Sequence, residues 1–227
     1  MILNYKNLNK FDIPDNIEHI KIDIGLGEKN VQSLNWLENE KNLYVIAFDP
    51  NPDSINSSMK YIKNVLTIPN NNTIHIVPVA LSNVENNTKT KFYKMVNDAG
   101  ISSLLEPINL GPIKEIIDID CYSLKYFLDF FPWDRFEYIE YIKIDAQGSD
   151  LDIIKSAGDY LKEKVVFITA EPEFCKYKDC QNNTTENMVK YLNSQGFVFI
   201  NHPNTCDPTF LNEKFKHLYE KIYIKQN

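Results

Sequence analysis

The feature that most constrains the fold is the stretch 19–27, where a strand pattern ends in an acid and a glycine turn. Every second residue from 20 to 24 is isoleucine, the alternation typical of a β-strand. Gly25 and Gly27 carry no Cβ, so the backbone can approach a ligand closely at this turn. Because a helical pattern follows at once, the stretch predicts the first part of a βαβ unit, whose ligand crevice lies beyond the carboxyl ends of the strands.

The residues around the turn separate two classes of cofactor. The dinucleotide fingerprint G-x-G-x-x-G/A has its third glycine or alanine three residues after the second glycine, where this chain has Asn30. Here an acid, Asp23, lies two residues before the first glycine, and D-x-G-x-G resembles the first motif of S-adenosylmethionine-dependent methyltransferases, in which the acid faces the cationic amino-acid end of the cofactor. We therefore predict that Asp23, Gly25 and Gly27 bind S-adenosylmethionine. The alternative is an ordinary strand-to-helix turn that uses glycine without a ligand.

Length and composition limit the possible partners. At 227 residues, 43% of them hydrophobic, the chain can bury one sizeable core, and we predict a single domain, 1–227, with residues 1–18 as an N-terminal extension. The net charge of -7 argues against a nucleic-acid partner, which needs clustered Lys and Arg. With neither a secretory h-region nor an apolar run of roughly 20 residues, we expect a soluble cytoplasmic protein without a membrane partner. Its four cysteines are expected to be reduced.

A second strand pattern also ends in an acid. Residues 43–48 form a near-continuous apolar run, typical of a strand buried on both faces, and Asp49 follows it. The separation of Asp49 from Gly25 is close to the roughly 20 residues expected between a glycine turn and the acid that binds ribose hydroxyls. Asp49 is therefore predicted to bind the cofactor.

The rest of the chain alternates between strand and helix patterns. Pro78 has no amide hydrogen, so the strand that contains it is expected at a sheet edge or with a bulge. The irregular segment 97–112 carries Ser102 and Ser103, which we predict to contact substrate. The alternation predicts an α/β fold with a mainly parallel sheet, helices on both faces and an antiparallel last strand at residues 218–225.

Six motifs together resemble the FkbM family of S-adenosylmethionine-dependent methyltransferases. They occur in family order from about residue 19 to 200: IDIGLG, FDPNPDS, VPVALSN, ISSLLEP, YIKIDAQGSDLDIIKSAG and ITAEPE. The resemblance implies a class I, Rossmann-like fold with a seven-stranded sheet, and a hydroxyl of a sugar, glycan or small natural product as methyl acceptor. Ala80, Leu81 and Ser82, in the third motif, are expected to bind cofactor. Gln147, which replaces the family's usual acid, is expected to contact substrate; Lys29 stands where many members have a third glycine.

Three residues at predicted strand ends are candidates for catalysis. Asp145 ends the central strand and is predicted to orient or deprotonate the acceptor hydroxyl and to contact the cofactor. Glu171 and His202, at the ends of the next strands, are predicted to converge on the same point. Each has a structural alternative: a cap of the following turn for Asp145, backbone amides for Glu171 and a surface position for His202. Asp145 and Glu171 could offer oxygen ligands to Mg²⁺, but no dense carboxylate run supports this, and we predict no metal.

Two other functions are compatible with these patterns. One is a nucleotide enzyme that uses NAD on the same sheet, which predicts binding of NAD and not of S-adenosylhomocysteine. The other is a catalytically inactive module that binds the cofactor without methyl transfer. We also expect either a monomer or a homodimer.

Overall fold

The computed structural model describes residues 11–27, 31–65, 71–200 and 207–222. Ten strands lie in these ranges and form two sheets. In chain order the strands are β1 (His19–Ile24), β2 (Leu43–Phe48), β3 (Thr73–Val77), β4 (Ala80–Leu81), β5 (Thr88–Met95), β6 (Ile113–Tyr122), β7 (Ile139–Ile144), β8 (Val165–Ala170), β9 (Phe197–Ile200) and β10 (Thr209–Asn212).

The larger sheet has seven strands in the order β3-β2-β1-β7-β8-β10-β9. The first five strands of this order are parallel to one another, and β10 is antiparallel to both of its neighbours. The prediction of a mainly parallel seven-stranded α/β sheet is confirmed. Pro78 follows β3, which is an edge strand, as the missing amide hydrogen predicted.

A second, three-stranded sheet in the order β4-β6-β5 was not predicted as a separate unit. The chain leaves the large sheet after Val77 and enters the small sheet at Ala80, so the predicted strand 74–81 is divided between them. The small sheet and the segment after β5 stand beside the carboxyl ends of the large sheet's strands, where Leu81, Phe92 and Ser102 share one cavity with Asp49.

Helices cover both faces of the large sheet. The described α-helices are α1 (Val31–Asn39), α2 (Pro52–Val65), α3 (Leu124–Leu128), α4 (Asp150–Ser156), α5 (Tyr160–Lys164), α6 (Thr185–Ser194) and α7 (Tyr219–Ile222). On one face the isoleucines of β1 pack with residues of α3, α4 and α6; on the other, Val45 and Ala47 of β2 pack with α1 and α2. Within the described ranges, no helix has the length and apolar character needed to cross a membrane.

Residues before β1 add to this core. Phe11, Ile13 and Ile17, in the predicted N-terminal extension, are buried in the largest hydrophobic cluster. The division of the chain into a domain and an extension stays a prediction.

The predicted position of the antiparallel last strand is wrong. Residues 213–218 form a 3₁₀-helix and residues 219–222 form α7, while the antiparallel strand is β10, just before them. Phe215 and Ile222 bury their side chains against the large sheet, a spacing of two helical turns that the apolar pattern also permits. Residues 223–225 lie outside the described residues.

Gly25 is required by a neighbouring strand and not only by a ligand. Its φ is +83°, and a Cβ built on it would lie 1.9 Å from the backbone oxygen of Asp145. At the same point the Asp145 amide donates to the carbonyl of Ile24, at 2.9 Å. The two strand ends are therefore so close that only glycine fits, while the predicted close approach of a ligand to this turn stays a prediction.

Gly25→Ala is expected to lower the free energy of unfolding by more than about 4 kcal/mol, because the methyl group meets backbone and not a flexible side chain. Gly27→Ala is the control: its φ is +65°, but within the described residues no atom beyond its chain neighbours lies within 4 Å of the added Cβ. The control should cost about 1 to 2 kcal/mol, the penalty of the left-handed conformation. Denaturant titration measures both, and equal losses would contradict this account of Gly25.

Candidate functional site

A cavity of about 460 Å³ lies beyond the carboxyl ends of β1, β2 and β7. β1 pairs with β2 on one side and with β7 on the other, so the chain connections run in opposite directions from β1. Such a switch point is where open α/β sheets bind ligands. The volume suits a cofactor-sized molecule. Four acids line this cavity: Asp23, Asp49, Asp98 and Asp145.

Asp23 presents an unpaired oxygen in the cavity wall. The Ser33 hydroxyl donates to its Oδ2 at 2.5 Å, whereas its buried Oδ1 makes no hydrogen bond within the described chain. Burial raises the pKa of Asp23, although Lys143 and the hydrogen bond from Ser33 act to lower it. A buried carboxylate oxygen without a donor is costly, so this atom is suited to a cationic or hydrogen-bonding group of a ligand.

Asp49 joins the glycine turn to the turn after β2. Its Oδ2 accepts from the amide of Gly27 at 2.9 Å, and its Oδ1 accepts from the amide of Asn51 at 2.7 Å. Burial raises the pKa of Asp49 to about 6, so it is ionised at neutral pH. Each carboxylate oxygen can accept a second hydrogen bond, which leaves capacity for ligand hydroxyls.

The other predicted cofactor-binding residues divide between cavity and surroundings. Ala80 and Leu81 are buried and line the cavity, as do Gly25 and Gly27. Ser82 does not line it, and its amide donates to the carbonyl of Tyr122 in the small sheet. Leu26 and Phe48 add apolar surface to the lining.

Asp145 is held as a carboxylate by a half-buried cation. Lys143 Nζ lies 3.0 Å from its Oδ2, and Gln147 Nε2 donates to its Oδ1 at 2.7 Å. Burial acts to raise the pKa of Asp145, but the Lys143 charge and the hydrogen bonds from Glu171, Lys143 and Gln147 outweigh it and hold the pKa below its usual value. Asp145 lines the cavity, so an ionised acceptor faces a ligand there.

Glu171 reaches Asp145 through an amide bridge. The same Nε2 of Gln147 that donates to Asp145 also donates to Glu171 Oε2, at 2.8 Å. Burial and the hydrogen bond and charge of Asp145 raise the pKa of Glu171 to about 8. Within this interacting pair the Lys143 charge favours the ionised form of Asp145, and burial favours the protonated form of Glu171. Glu171 itself lies behind Gln147 and does not line the cavity.

The orientation of the Gln147 amide is fixed by its other neighbours. The Tyr177 hydroxyl donates to Gln147 Oε1 at 2.9 Å, which leaves the amide hydrogens for the two carboxyl groups. The Ser103 hydroxyl donates to the Gln147 carbonyl at 2.8 Å, and φ of Gln147 is +51°, in the left-handed region. A residue held in such a backbone conformation by several partners is typical of a functional site.

The two serines predicted to contact substrate occupy different positions. Ser102 lines the cavity, where its Oγ accepts from the Met95 amide at 3.1 Å and keeps its own hydrogen for another partner. Ser103 is buried behind Gln147 and is not among the lining residues. His202 lies outside the described residues, so its predicted role stays a prediction.

Lys143 and Asp98 line the cavity, although neither was predicted as a site residue. Lys143 is two residues before Asp145 in β7, so the period of a strand places both on one face, and this signal could have identified it. Asp98 caps a 3₁₀ turn, Ala99–Ile101, by accepting from the Gly100 amide at 2.8 Å. It lines the cavity from the irregular segment, where no periodic pattern marks individual residues.

Asp150 supports the site from behind and is fully buried at the first position of α4. Its Oδ1 accepts from the Glu171 amide at 3.1 Å, and its Oδ2 has no hydrogen-bond partner within the described chain. Burial raises the pKa of Asp150 to about 7, against hydrogen bonds from the Glu171 and Ala146 amides. The folded protein therefore binds a proton here that the unfolded chain releases above about pH 4.

The raised pKa of Asp150 predicts that the folded protein becomes less stable as pH rises. Between about pH 4 and 7 the folded state holds more protons at Asp150 than the unfolded state, so this group lowers the free energy of unfolding by up to about 1.4 kcal/mol per pH unit. Asp150→Asn should flatten the pH dependence in this window, while Asp152→Asn, at an exposed position on the same helix, should not. Melting temperatures from pH 4 to 9 test this, and parallel curves for wild type and Asp150→Asn would contradict it.

A protein-family comparison identifies the chain. The model of the methyltransferase FkbM domain matches residues 24–199. It confirms the family resemblance, with the class I fold and the S-adenosylmethionine dependence that the motifs predicted. No curated protein matches the sequence.

Three solved structures give similar but distant matches. SMU.1697c from Streptococcus mutans, in complex with SAH, has 14% identity and a TM-score of 0.43 over 86% of this chain and 87% of that one. The human methyltransferase 10 domain containing protein has 11% identity and a TM-score of 0.41, covering 87% and 73%. A SAM-dependent methyltransferase from Methanosarcina mazei has 9% identity and a TM-score of 0.39, covering 93% and 97%. Similarity this low does not bear on the site. The family match, which spans most of the chain, carries the assignment: this protein belongs to the FkbM family of methyltransferases.

Proposed function

We propose that the chain transfers a methyl group from S-adenosylmethionine to a hydroxyl oxygen of a sugar, glycan or small natural product. The observation that carries this proposal is the ionised Asp145 carboxylate, held in the cavity wall between the Lys143 ammonium and the Gln147 amide. A carboxylate in this position can accept the proton of a hydroxyl acceptor.

The cavity lining fits S-adenosylmethionine. The unpaired Oδ1 of Asp23 suits the ammonium of the amino-acid end, and Asp49 has acceptor capacity for the two ribose hydroxyls. Leu81 and Phe48 offer apolar surface for the adenine ring. When bound, this cofactor supplies a methyl group already activated by its attachment to a sulfonium.

The protein's own contribution is to orient the acceptor and take up its proton. A neutral hydroxyl is a weak nucleophile, and a hydrogen bond to Asp145 would fix one of its lone pairs toward the methyl group. Asp145 would take up the hydroxyl proton as the carbon–oxygen bond forms and the methyl–sulfur bond breaks, with S-adenosylhomocysteine as the leaving group. Gln147 keeps the carboxylate in place, while Glu171 retains its own proton and does not add a second negative charge.

The charge of the cavity supports a neutral acceptor. Among the described lining residues, these acids face one lysine, Lys143, which already pairs with Asp145. A phosphorylated or carboxylated acceptor would be repelled, whereas hydroxyl groups can donate to Asp98 and Asp145. A neutral polyol such as a sugar therefore suits the lining best.

The proposal also covers location, assembly and substrate contacts. We infer a cytoplasmic protein, since Cys121, Cys175 and Cys180 are free thiols. We also propose that the protein is a monomer or homodimer and that residues 1–227 form a single domain. Ser102 and Gln147 are proposed to contact the substrate. An inactive binding module is the second candidate, because Gln147 replaces the acid usual in the family.

Transfer of labelled methyl groups tests the proposed function. The protein is incubated with methyl-labelled S-adenosylmethionine and panels of neutral glycans, phosphorylated sugars and small alcohols. The proposal expects label in a neutral hydroxylated compound. Binding of S-adenosylhomocysteine without transfer to any panel member would favour the inactive module.

Asp49→Ala is expected to weaken S-adenosylmethionine and S-adenosylhomocysteine by similar factors, because both present the same ribose. The loss of charge-assisted hydrogen bonds should cost about 1.5 to 3 kcal/mol of binding free energy. Asp53→Ala is the matched control, because Asp53 pairs with Lys94 and Lys114 and does not line the cavity. Calorimetric titration measures these affinities, and unchanged affinity in Asp49→Ala would remove Asp49 from the site.

Asp145→Asn is expected to lower turnover by roughly 10² to 10⁴, the range for loss of a general base. Affinity for S-adenosylhomocysteine should stay within a few fold. Some stability is lost under either role, because Asp145 accepts from donors on both oxygens and an amide has one acceptor oxygen. Turnover therefore decides between the roles, with Asp129→Asn at the surface pair with Lys125 as control. Normal turnover in Asp145→Asn would show that the residue is only structural.

A further inference from the structure

A second group of side chains, which could bind a metal ion, lies at the amino ends of β1 and β7, while the cavity lies at the carboxyl ends. His19 begins β1, Glu140 is near the start of β7, and Glu40 follows α1. One ligand atom from each of these residues lies within 4.8 Å of the others. Nδ1 of His19 is 2.8 Å from Glu140 Oε2 and 3.5 Å from Glu40 Oε2. Three donors at such separations suit a tetrahedral ion, whose ligands lie roughly 2.0 to 2.2 Å from the metal.

Glu40 directs an unsatisfied oxygen toward this group. Its side chain is 11% exposed, and Oε2 makes no hydrogen bond within the described part of the chain. Lys21 Nζ donates to the other oxygen, Oε1, at 2.5 Å. Lys21 is itself fully buried against the ring of Trp36, 5.1 Å from its centroid, so the orientation of Glu40 is fixed.

His19 is also oriented by a partner outside the group. Its Nε2 lies 2.8 Å from the carbonyl oxygen of Lys41, which can only accept a hydrogen bond. Metal-binding histidines commonly donate their second ring nitrogen to a backbone carbonyl, and metal-binding carboxylates are in turn hydrogen-bonded. Both kinds of support are present here, through Lys41 for His19 and through Lys21 for Glu40.

The charges favour a cation at the centre. Two carboxylates face one ammonium, which leaves one negative charge beside His19. A divalent ion between His19 Nδ1 and Glu40 Oε2 would give that oxygen the close partner that it lacks within the described chain.

We propose that His19, Glu40 and Glu140 bind a divalent transition-metal ion of the Zn²⁺ type. One imidazole and two carboxylates form a mixed nitrogen and oxygen ligand set that suits such ions. The site joins the amino ends of β1 and β7 to the end of α1, far from the cavity. A bound ion is therefore expected to stabilise the fold. This site is independent of the proposed methyl transfer.

Zinc titration of the full chain tests the proposal. All proteins carry Cys175→Ser, which removes an exposed thiol that would bind zinc. Calorimetry should show a saturable Zn²⁺ site, and a hundredfold excess over Kd should raise the melting temperature by about 5 to 10 °C. His19→Gln and Glu140→Gln should each weaken the site by roughly 10-fold or more. His217→Gln, at an exposed histidine, should leave it unchanged.

Anomalous scattering at the zinc edge from a soaked wild-type crystal keeps the proposal testable if the variants fail to fold. The expected peak lies among His19, Glu40 and Glu140. No saturable zinc binding, a site that survives both His19→Gln and Glu140→Gln, or a peak only elsewhere would each overturn the proposal. His19, Glu40 and Glu140 would then form an ion-pair network with Lys21 that binds no metal ion.

Discussion

The contact between Gly25 and the backbone of Asp145 determines where the two central strands end. Because no side chain fits between them, β1 and β7 finish side by side, and the acids near their ends face one cavity. The same turn places Gly27 where its amide binds Asp49 from the next strand. A single close backbone approach thus positions three carboxylates around the ligand crevice, although these residues lie far apart in the sequence.

Concentrating acids in this way has an electrostatic cost. Burial raises the pKa values of Asp23, Asp49, Asp150 and Glu171, which means that their ionised forms are disfavoured in the folded protein. Lys143 offsets part of this charge next to Asp145. A ligand with positive charge, as a sulfonium with an ammonium group has, would offset more of it. The site therefore trades stability of the free protein for affinity toward a cationic cofactor, a common relation between function and stability.

The proton distribution around Gln147 connects this charge to catalysis. An acid at position 147 would place a third carboxyl group between Asp145 and Glu171, which would call for a cation or further protons. The amide instead donates to both groups without adding charge, while Lys143 favours the ionised form of Asp145 and burial favours the protonated form of Glu171. In our proposal this makes Asp145 a single, well-oriented proton acceptor.

Much of the fold could be predicted from sequence because its strands have clear local hydrophobic patterns. The isoleucines of β1 and the apolar run of β2 gave their strands with almost the observed bounds, and the acid and glycine after β7 marked the crevice. The tail was misassigned because the apolar residues around Ile222 satisfy strand and helix spacings equally in so short a segment.

Features that depend on contacts distant in sequence could not be predicted. No local pattern shows that the Asp145 carbonyl fills the space beside Gly25, or that Tyr177 orients Gln147 across 30 positions. The separate small sheet was missed for the same reason, since three of the first four residues of β5 are exposed and its pairing with β6 spans a long irregular segment. His19 and Glu140, 121 positions apart, likewise come together only in the folded chain.

Direct measurement of cofactor preference tests the central claim that this acidic crevice is built for S-adenosylmethionine. The wild-type protein is titrated calorimetrically with S-adenosylhomocysteine and, separately, with NAD at the same pH and salt concentration. The account predicts stoichiometric binding of S-adenosylhomocysteine and no saturable binding of NAD. Saturable binding of NAD without binding of S-adenosylhomocysteine would contradict it.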